Sequence, residues 1–91
     1  MDYYVYILYS LKDKKLYVGC TSNLTERLIK HKNGLVDATK YRRPLELIHH
    51  ENFKNKADAF NRERFFKSIW GSRLKNEIVR KYLRSMAKTF R

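Results

Sequence analysis

The sequence has one cysteine, one proline and three glycines, and only nine acidic residues among its 91. Each scarcity excludes something. With Cys20 alone, no disulfide can close within the chain and no cysteine-based zinc site can form. With few prolines and glycines, and charges spread along the chain, the composition is not that of a linker or a disordered segment. Nine acids stand against 21 Lys and Arg, a formal net charge of +12. Such an excess repels itself in a compact fold and points to a polyanionic partner. Nucleic acid fits that footprint best. A membrane surface comes second, and a merely basic, ribosome-associated protein is the plainest alternative. No apolar run approaches the roughly 20 residues of a membrane span. The opening "MDYYVYILYS" is apolar but short. It carries Asp2 and lacks both a basic region and a small-residue cleavage site, so it does not read as a signal peptide. The expectation is an intracellular, cytoplasmic protein without a membrane partner.

What is present suffices for a fold. Hydrophobic residues make up 43% and aromatics 14%, enough for one domain of this length. "YYVYILYS", Tyr3 to Ser10, is β-branched and aromatic, apolar on both faces, and reads as a central strand. "LKDKK" supplies a turn, and "LYVGC" from Leu16 to Cys20 a second strand. "TSNLTE" opens a helix with Ser22 or Asn23 as cap, Asn23 and Glu26 having capping-box spacing. Gly34 stands where a left-handed residue should close that helix. A loop rich in positive charge follows, ended by Pro44. "LELIHHENF" is a third strand with Leu45 and Leu47 on one face. A helix capped by Asn55 runs to Gly71. Ser72 caps a last helix from about Arg73 to Leu83. The predicted class is α+β, a small three-stranded, mostly antiparallel sheet flanked by helices, in the order β-β-α-β-α-α. One domain spans 1–91, with a core of about 3–83 and a frayed tail at 84–91.

Some polar residues fall on faces that should be apolar. At about 100° per residue, Arg27 and His31 lie beside the Leu24–Leu28 stripe of the first helix. Their i, i+4 spacing lets both act on one point. In the second long helix Glu63 falls within the stripe of Ala59, Phe66 and Trp70, where a carboxylate is costly unless paired or metal-bound. In the hairpin, Tyr6 and Tyr17 are read as cross-strand neighbours. Gly19 removes side-chain bulk two residues from Tyr17, which would let a ligand approach the sheet. Each feature has a plain explanation: a core tyrosine, a snorkelling arginine, a structural histidine, an ion-paired carboxylate. Together, from four elements, they are parts for hydrolysing a phosphodiester.

"VYI" at Val5 to Ile7 and "YVG" at Tyr17 to Gly19 resemble the paired signature of the GIY-YIG nuclease family, at matching separation. "TERLIKH", "YRRPLELIHHENF" and "ADAFNRERFFK" extend the resemblance from roughly Tyr3 to Leu83, toward the short, stand-alone bacterial members. Val5 replaces the Gly of the first half-motif. Cys20 stands where some repair-nuclease members have Lys. Asn76 lies near the place of a family Asn without aligning securely.

The resemblance implies a metal-dependent endonuclease acting on DNA, in repair or recombination. A single Mg²⁺ or Mn²⁺ would be held by Glu63. Tyr17 would activate the attacking water, with His31 as competing base or as proton relay from Tyr17. Tyr6 would position the water or phosphate, and Arg27 would bind the phosphate. Gly19, Lys40, Tyr41, Arg42, Arg43 and Lys67 are candidate substrate contacts. Phosphate contacts set affinity without reading bases, so branched, flapped or nicked DNA is the expected partner. RNA is a possible target. As a monomer or weak dimer, one small site would nick one strand. The alternative is a module that keeps the nuclease fold and binds DNA or RNA without cutting it.

Overall fold

The computed structural model describes residues 1–89. Its elements follow the expected order: β1 (Tyr3–Ser10), β2 (Leu16–Thr21), α1 (Leu24–Lys32), β3 (Leu45–Phe53), α2 (Lys56–Lys67) and α3 (Ser72–Thr89), with a 3₁₀ turn at Ile69–Gly71. The sheet order is β2-β1-β3, and both pairings are antiparallel. β1 is therefore the central strand, as its two apolar faces require.

The β1–β2 turn is organised by Ser10, which is fully buried. Its hydroxyl oxygen accepts the backbone N–H groups of Lys12 and Asp13, and the hydroxyl donates to the Arg42 carbonyl at 2.6 Å. Lys14 takes the left-handed conformation that closes the turn. This turn sets the register. Tyr6 lies opposite Gly19, and Leu8 lies opposite Tyr17. Tyr6 and Tyr17 are thus diagonal cross-strand neighbours, with ring centroids 6.3 Å apart.

The sheet buries both faces. On one, Val5, Ile7 and Val18 pack against Ala59 and Phe66 of α2. On the other, Tyr6 and Leu8 are covered from the side of α1, where His31 and Thr39 are also buried. The helix starts are encoded locally. Asn23 accepts the N–H of Glu26 at 3.1 Å and returns a side-chain bond to its carboxylate, and Asn55 does the same with Asp58. Gly34 has φ +76° after α1.

Two boundaries differ from expectation. α2 stops at Lys67, because Ser68 turns extended and both its backbone N–H and its hydroxyl donate to the Phe65 carbonyl. Gly71 then packs so closely on the Phe65 carbonyl and Phe66 that any Cβ there would collide. Trp70, expected on the buried stripe, is instead 79% exposed. α3 runs to Thr89, well past Leu83, so residues 84–89 are helical where a frayed tail was expected. Residues 90 and 91 of that expected tail lie outside the described residues. No helix among the described residues is long and apolar enough to cross a membrane.

Candidate active site

The site is built outward from Tyr6, whose side chain is fully buried. Its phenol lies over Gly19, and a Cβ at that position would overlap the ring and its oxygen. The missing side chain therefore makes room for Tyr6 itself, not for an incoming ligand as the sequence suggested. The phenol oxygen is 2.8 Å from His31 Nε2 and accepts from Arg27 Nε at 3.4 Å. His31 Nδ1 is 2.7 Å from Thr39 Oγ1. Since Arg27 already donates to the phenol oxygen, the phenol O–H is left to donate to Nε2, and Nδ1–H to donate to Thr39. The result is a buried polar chain, Arg27–Tyr6–His31–Thr39, running from the site into the protein. No buried side-chain N or O is left without a partner among the described residues.

Burial and charge fix the protonation of this chain. Burial pushes the Tyr6 phenol up to about 12, with the Arg27 hydrogen bond opposing it and the Tyr17 and Glu63 side chains adding to it. Burial, then the Arg27 positive charge, pushes His31 down to about 4. At neutral pH both are uncharged. Arg27 is driven the other way: its bond to Tyr6, together with Tyr17, raises it above its ordinary value.

His31 is only 1% exposed, with both ring nitrogens engaged. It meets Tyr17 by an edge-on ring contact at 5.2 Å and hydrogen-bonds to Tyr6. The expected roles, base or relay from Tyr17, meet a different arrangement: His31 is coupled to the other tyrosine. Tyr17 is half-buried and is the phenol of the pair that solvent reaches. Arg27 opens on a shallow polar hollow of about 170 Å³ at the start of α1, lined also by Thr21, Ser22, Asn23, Glu26 and Lys30. A larger apolar groove of about 610 Å³ lies behind His31, between α1 and the start of β3. Its lining includes none of Tyr17, Arg27 or Glu63.

Glu63 comes from α2. Its side chain is 15% exposed, and its charge reaches both Tyr6 and Cys20, raising the phenol and, after burial, the thiol. Arg62, the neighbouring cation on α2, is taken by Glu51 of β3 through two bonds of 2.8 and 3.2 Å and lies over Phe66. That leaves Lys67, at 3.1 Å, as the ion partner of Glu63 among the described residues. No group of three or more His, Cys, Asp or Glu that could hold a metal occurs among the described residues. A lone carboxylate of this kind fits a hard ion that keeps most of its waters and does not fit a closed zinc site.

The loop residues divide. Tyr41 is 76% exposed, and Lys40 lies over its ring while pairing with Asp37. Arg42 is engaged by Asp13 at 2.7 Å and by the Leu16 carbonyl. Arg43 donates to the Lys40 and Lys32 carbonyls and covers Gly34, closing the end of α1. Two of the four loop residues expected as substrate contacts, Arg42 and Arg43, thus hold the loop together. Asn76 is exposed on α3. Thr39 escaped the sequence reading, because it sits in an irregular loop where no periodicity marks it.

The GIY-YIG catalytic domain matches residues 2–76. The chain belongs to the GIY-YIG family. It is similar to the UPF0213 protein of Natronomonas pharaonis, 43% identical over 79 residues that cover 84% of this chain and 87% of that one. The UPF0213 protein of Clostridium perfringens is 43% identical over 67 residues, covering 72% and 71%. Among solved structures, the solution NMR structure of a UPF0213 protein from Bacillus halodurans matches at 34% identity. Its TM-score is 0.52, and the match covers 87% of this chain and 83% of that one. The GIY-YIG match and these small relatives agree with the three-stranded α+β fold and with a short, stand-alone member of the family.

Proposed function

We propose that this GIY-YIG protein is a metal-dependent endonuclease that hydrolyses DNA phosphodiester bonds, choosing substrates by shape more than by base sequence. The observation that carries the reading is Arg27, pinned by a buried phenol and opening on a polar hollow, with the charge of Glu63 on α2 reaching the same phenol. Mg²⁺ or Mn²⁺ held by Glu63 would supply Lewis-acid stabilisation of the phosphate and the leaving oxygen.

The chain's own residues do the rest. Arg27 binds the scissile phosphate and offsets the charge that grows in the transition state, where such groups contribute most. Tyr17 holds the attacking water and is the base candidate that water reaches. Tyr6 keeps its proton, being pushed up to about 12, and fixes Arg27 in place. His31 and Thr39 hold Tyr6 from behind. Tyr6 and His31 are therefore positioning residues in this scheme. Lys67 and the exposed lysines bind flanking phosphates, so affinity falls steeply with salt. Repair or recombination of damaged or branched DNA is the setting that fits such selectivity.

The test is Tyr17→Phe and Arg27→Lys with labelled branched DNA. Tyr17→Phe is expected to lower cleavage by about 10²-fold or more while affinity stays within a few-fold. Arg27→Lys, which loses the planar donor fork, is expected to lower cleavage as well. Unchanged cleavage in both overturns the assignment. A second reading, a nuclease fold that binds nucleic acid without cutting it, is favoured by the seclusion of Tyr6 and His31 from solvent.

A further inference from the structure

Two large apolar side chains stand out of the protein side by side. Ile69 is 82% exposed and Trp70 79% exposed, both on the 3₁₀ turn between α2 and α3. Burying an indole that size is among the largest gains a core residue offers. Here the chain is held so that it does not happen. Ser68 terminates α2 on the Phe65 carbonyl, Gly71 is pressed against Phe65 and Phe66, and the Gly71 N–H donates to the Ser68 carbonyl. The turn that results presents Ile69 and Trp70 outward on a rigid base.

The surroundings are basic. Lys67 and Arg73 flank the turn and are exposed, and Arg64 lies one turn back on α2 beside the half-exposed Phe60. Arg73 has no ion pair among the described residues. A flat aromatic face rimmed by cations, on a protein of net charge +12, complements a polyanion that also carries flat apolar faces. An unstacked nucleobase meets that description. A paired, stacked duplex hides its base faces and does not.

The turn is also close to the chemistry. Trp70 follows Glu63 by seven residues, a path of at most about 10–15 Å through the last turn of α2, the extended Ser68 and the 3₁₀ turn. That is roughly three or four nucleotides at 3.4 Å per stacked step.

We infer that Trp70, with Ile69 beside it, is a stacking platform that engages an unpaired base of the DNA substrate near the scissile phosphate. This rests on the nuclease reading above and names the feature by which substrate shape is read: a strand with exposed base faces. Trp70 stacks on the base, Ile69 wedges against the adjoining step, and Lys67 and Arg73 hold the phosphates. Apolar wedges and aromatic platforms serve these roles in nucleic-acid binding generally.

Trp70 is the sole tryptophan, so its fluorescence reports the platform directly. The experiment titrates the full chain, in chelator, with a flapped or gapped duplex and with a fully paired duplex of equal length. Wild type, Trp70→Ala and Trp70→Phe are compared. The expected result is quenching of Trp70 by the flapped or gapped DNA. Trp70→Ala should weaken binding of that DNA roughly ten- to a hundredfold, change affinity for the paired duplex less than twofold, and be largely rescued by Trp70→Phe. DNA binding without Trp70 quenching, or an equal loss for both DNAs, overturns the platform and leaves the nuclease reading standing. Absence of DNA binding by the wild type overturns both. Response to unpaired RNA alone overturns the DNA assignment. A protein-concentration-dependent shift of Trp70 emission without nucleic acid, matched by dimerisation in sedimentation, would show the patch covered by a second copy and overturn the platform.

Discussion

Replacing Gly19 by alanine tests the core of the site through the sign of its effect. In an ordinary strand the change stabilises by roughly 0.5–1 kcal/mol, because glycine loses more backbone freedom on folding. Here the new Cβ meets three atoms of the Tyr6 ring and hydroxyl. The ring has nowhere to go. It is fully buried, its oxygen is tied to His31 at 2.8 Å, and the Arg27 Nε–H donates to that oxygen. Overpacking of this kind costs about 1–3 kcal/mol, so the clash outweighs the propensity gain. The net expectation is a loss of about 1–2 kcal/mol, a fall in Tm of roughly 5–15 °C for a domain of this size. Displacing Tyr6 also releases Arg27, so cleavage should fall further than stability alone explains. Thermal or urea unfolding reads the first effect, and single-turnover cleavage well below the variant's Tm reads the second. A Gly19→Ala protein as stable as wild type, or more so, would refute the claim that this glycine exists to seat Tyr6.

Other expectations follow from the same buried chain and its neighbours. Tyr6→Phe leaves His31 Nε2 buried without its donor, which should destabilise by about 1–3 kcal/mol. A cycle with Thr39→Val should show non-additive losses if the chain acts as one unit. Because His31 is pushed down to about 4 in the fold from an ordinary 6.5, the unfolded chain takes up its proton first as pH falls. Stability is then full above about pH 6.5 and declines as pH falls toward 4, by about 2 kcal/mol at pH 5. Urea titrations at pH 7.5 and 5 should show that decline in the wild type and a smaller one in His31→Gln. Arg43→Ala removes the closure of α1 on the Lys32 and Lys40 carbonyls and should lower stability by about 1 kcal/mol, with little change in the salt dependence of DNA binding. A clear drop in that dependence with unchanged stability would return Arg43 to the substrate surface.

How much of this was legible in the sequence depends on how local each cause is. The hairpin, the Asn23 and Asn55 caps and the left-handed Gly34 are set by neighbouring residues, and each is legible in the sequence. The inward lean of Arg27, His31 and Glu63 followed from helical period alone. Register was harder. Whether Tyr6 faces Tyr17 or Gly19 hangs on the length of the Ser10–Lys15 turn and on Ser10 holding it, which alternation of residue types does not reveal. Trp70 was misplaced because a period carried past Ser68 assumes a helix that has already ended. The close packing of Gly71 on Phe65 and Phe66 depends on the backbone turning at Ser68, which residue types alone do not reveal. Arg42 and Arg43 look like any loop cations until Asp13 and the Lys32 carbonyl are seen beside them.

The measurement that tests the central claim most directly is single-turnover cleavage of labelled branched DNA by wild type and Glu63→Ala. It is run with Mg²⁺ or Mn²⁺ and again with chelator, with binding followed in parallel. The nuclease account expects cleavage in metal that disappears in chelator and in Glu63→Ala, while the variant still binds the DNA. Cleavage that survives Glu63→Ala, or a wild type that binds and never cuts in either metal, contradicts it.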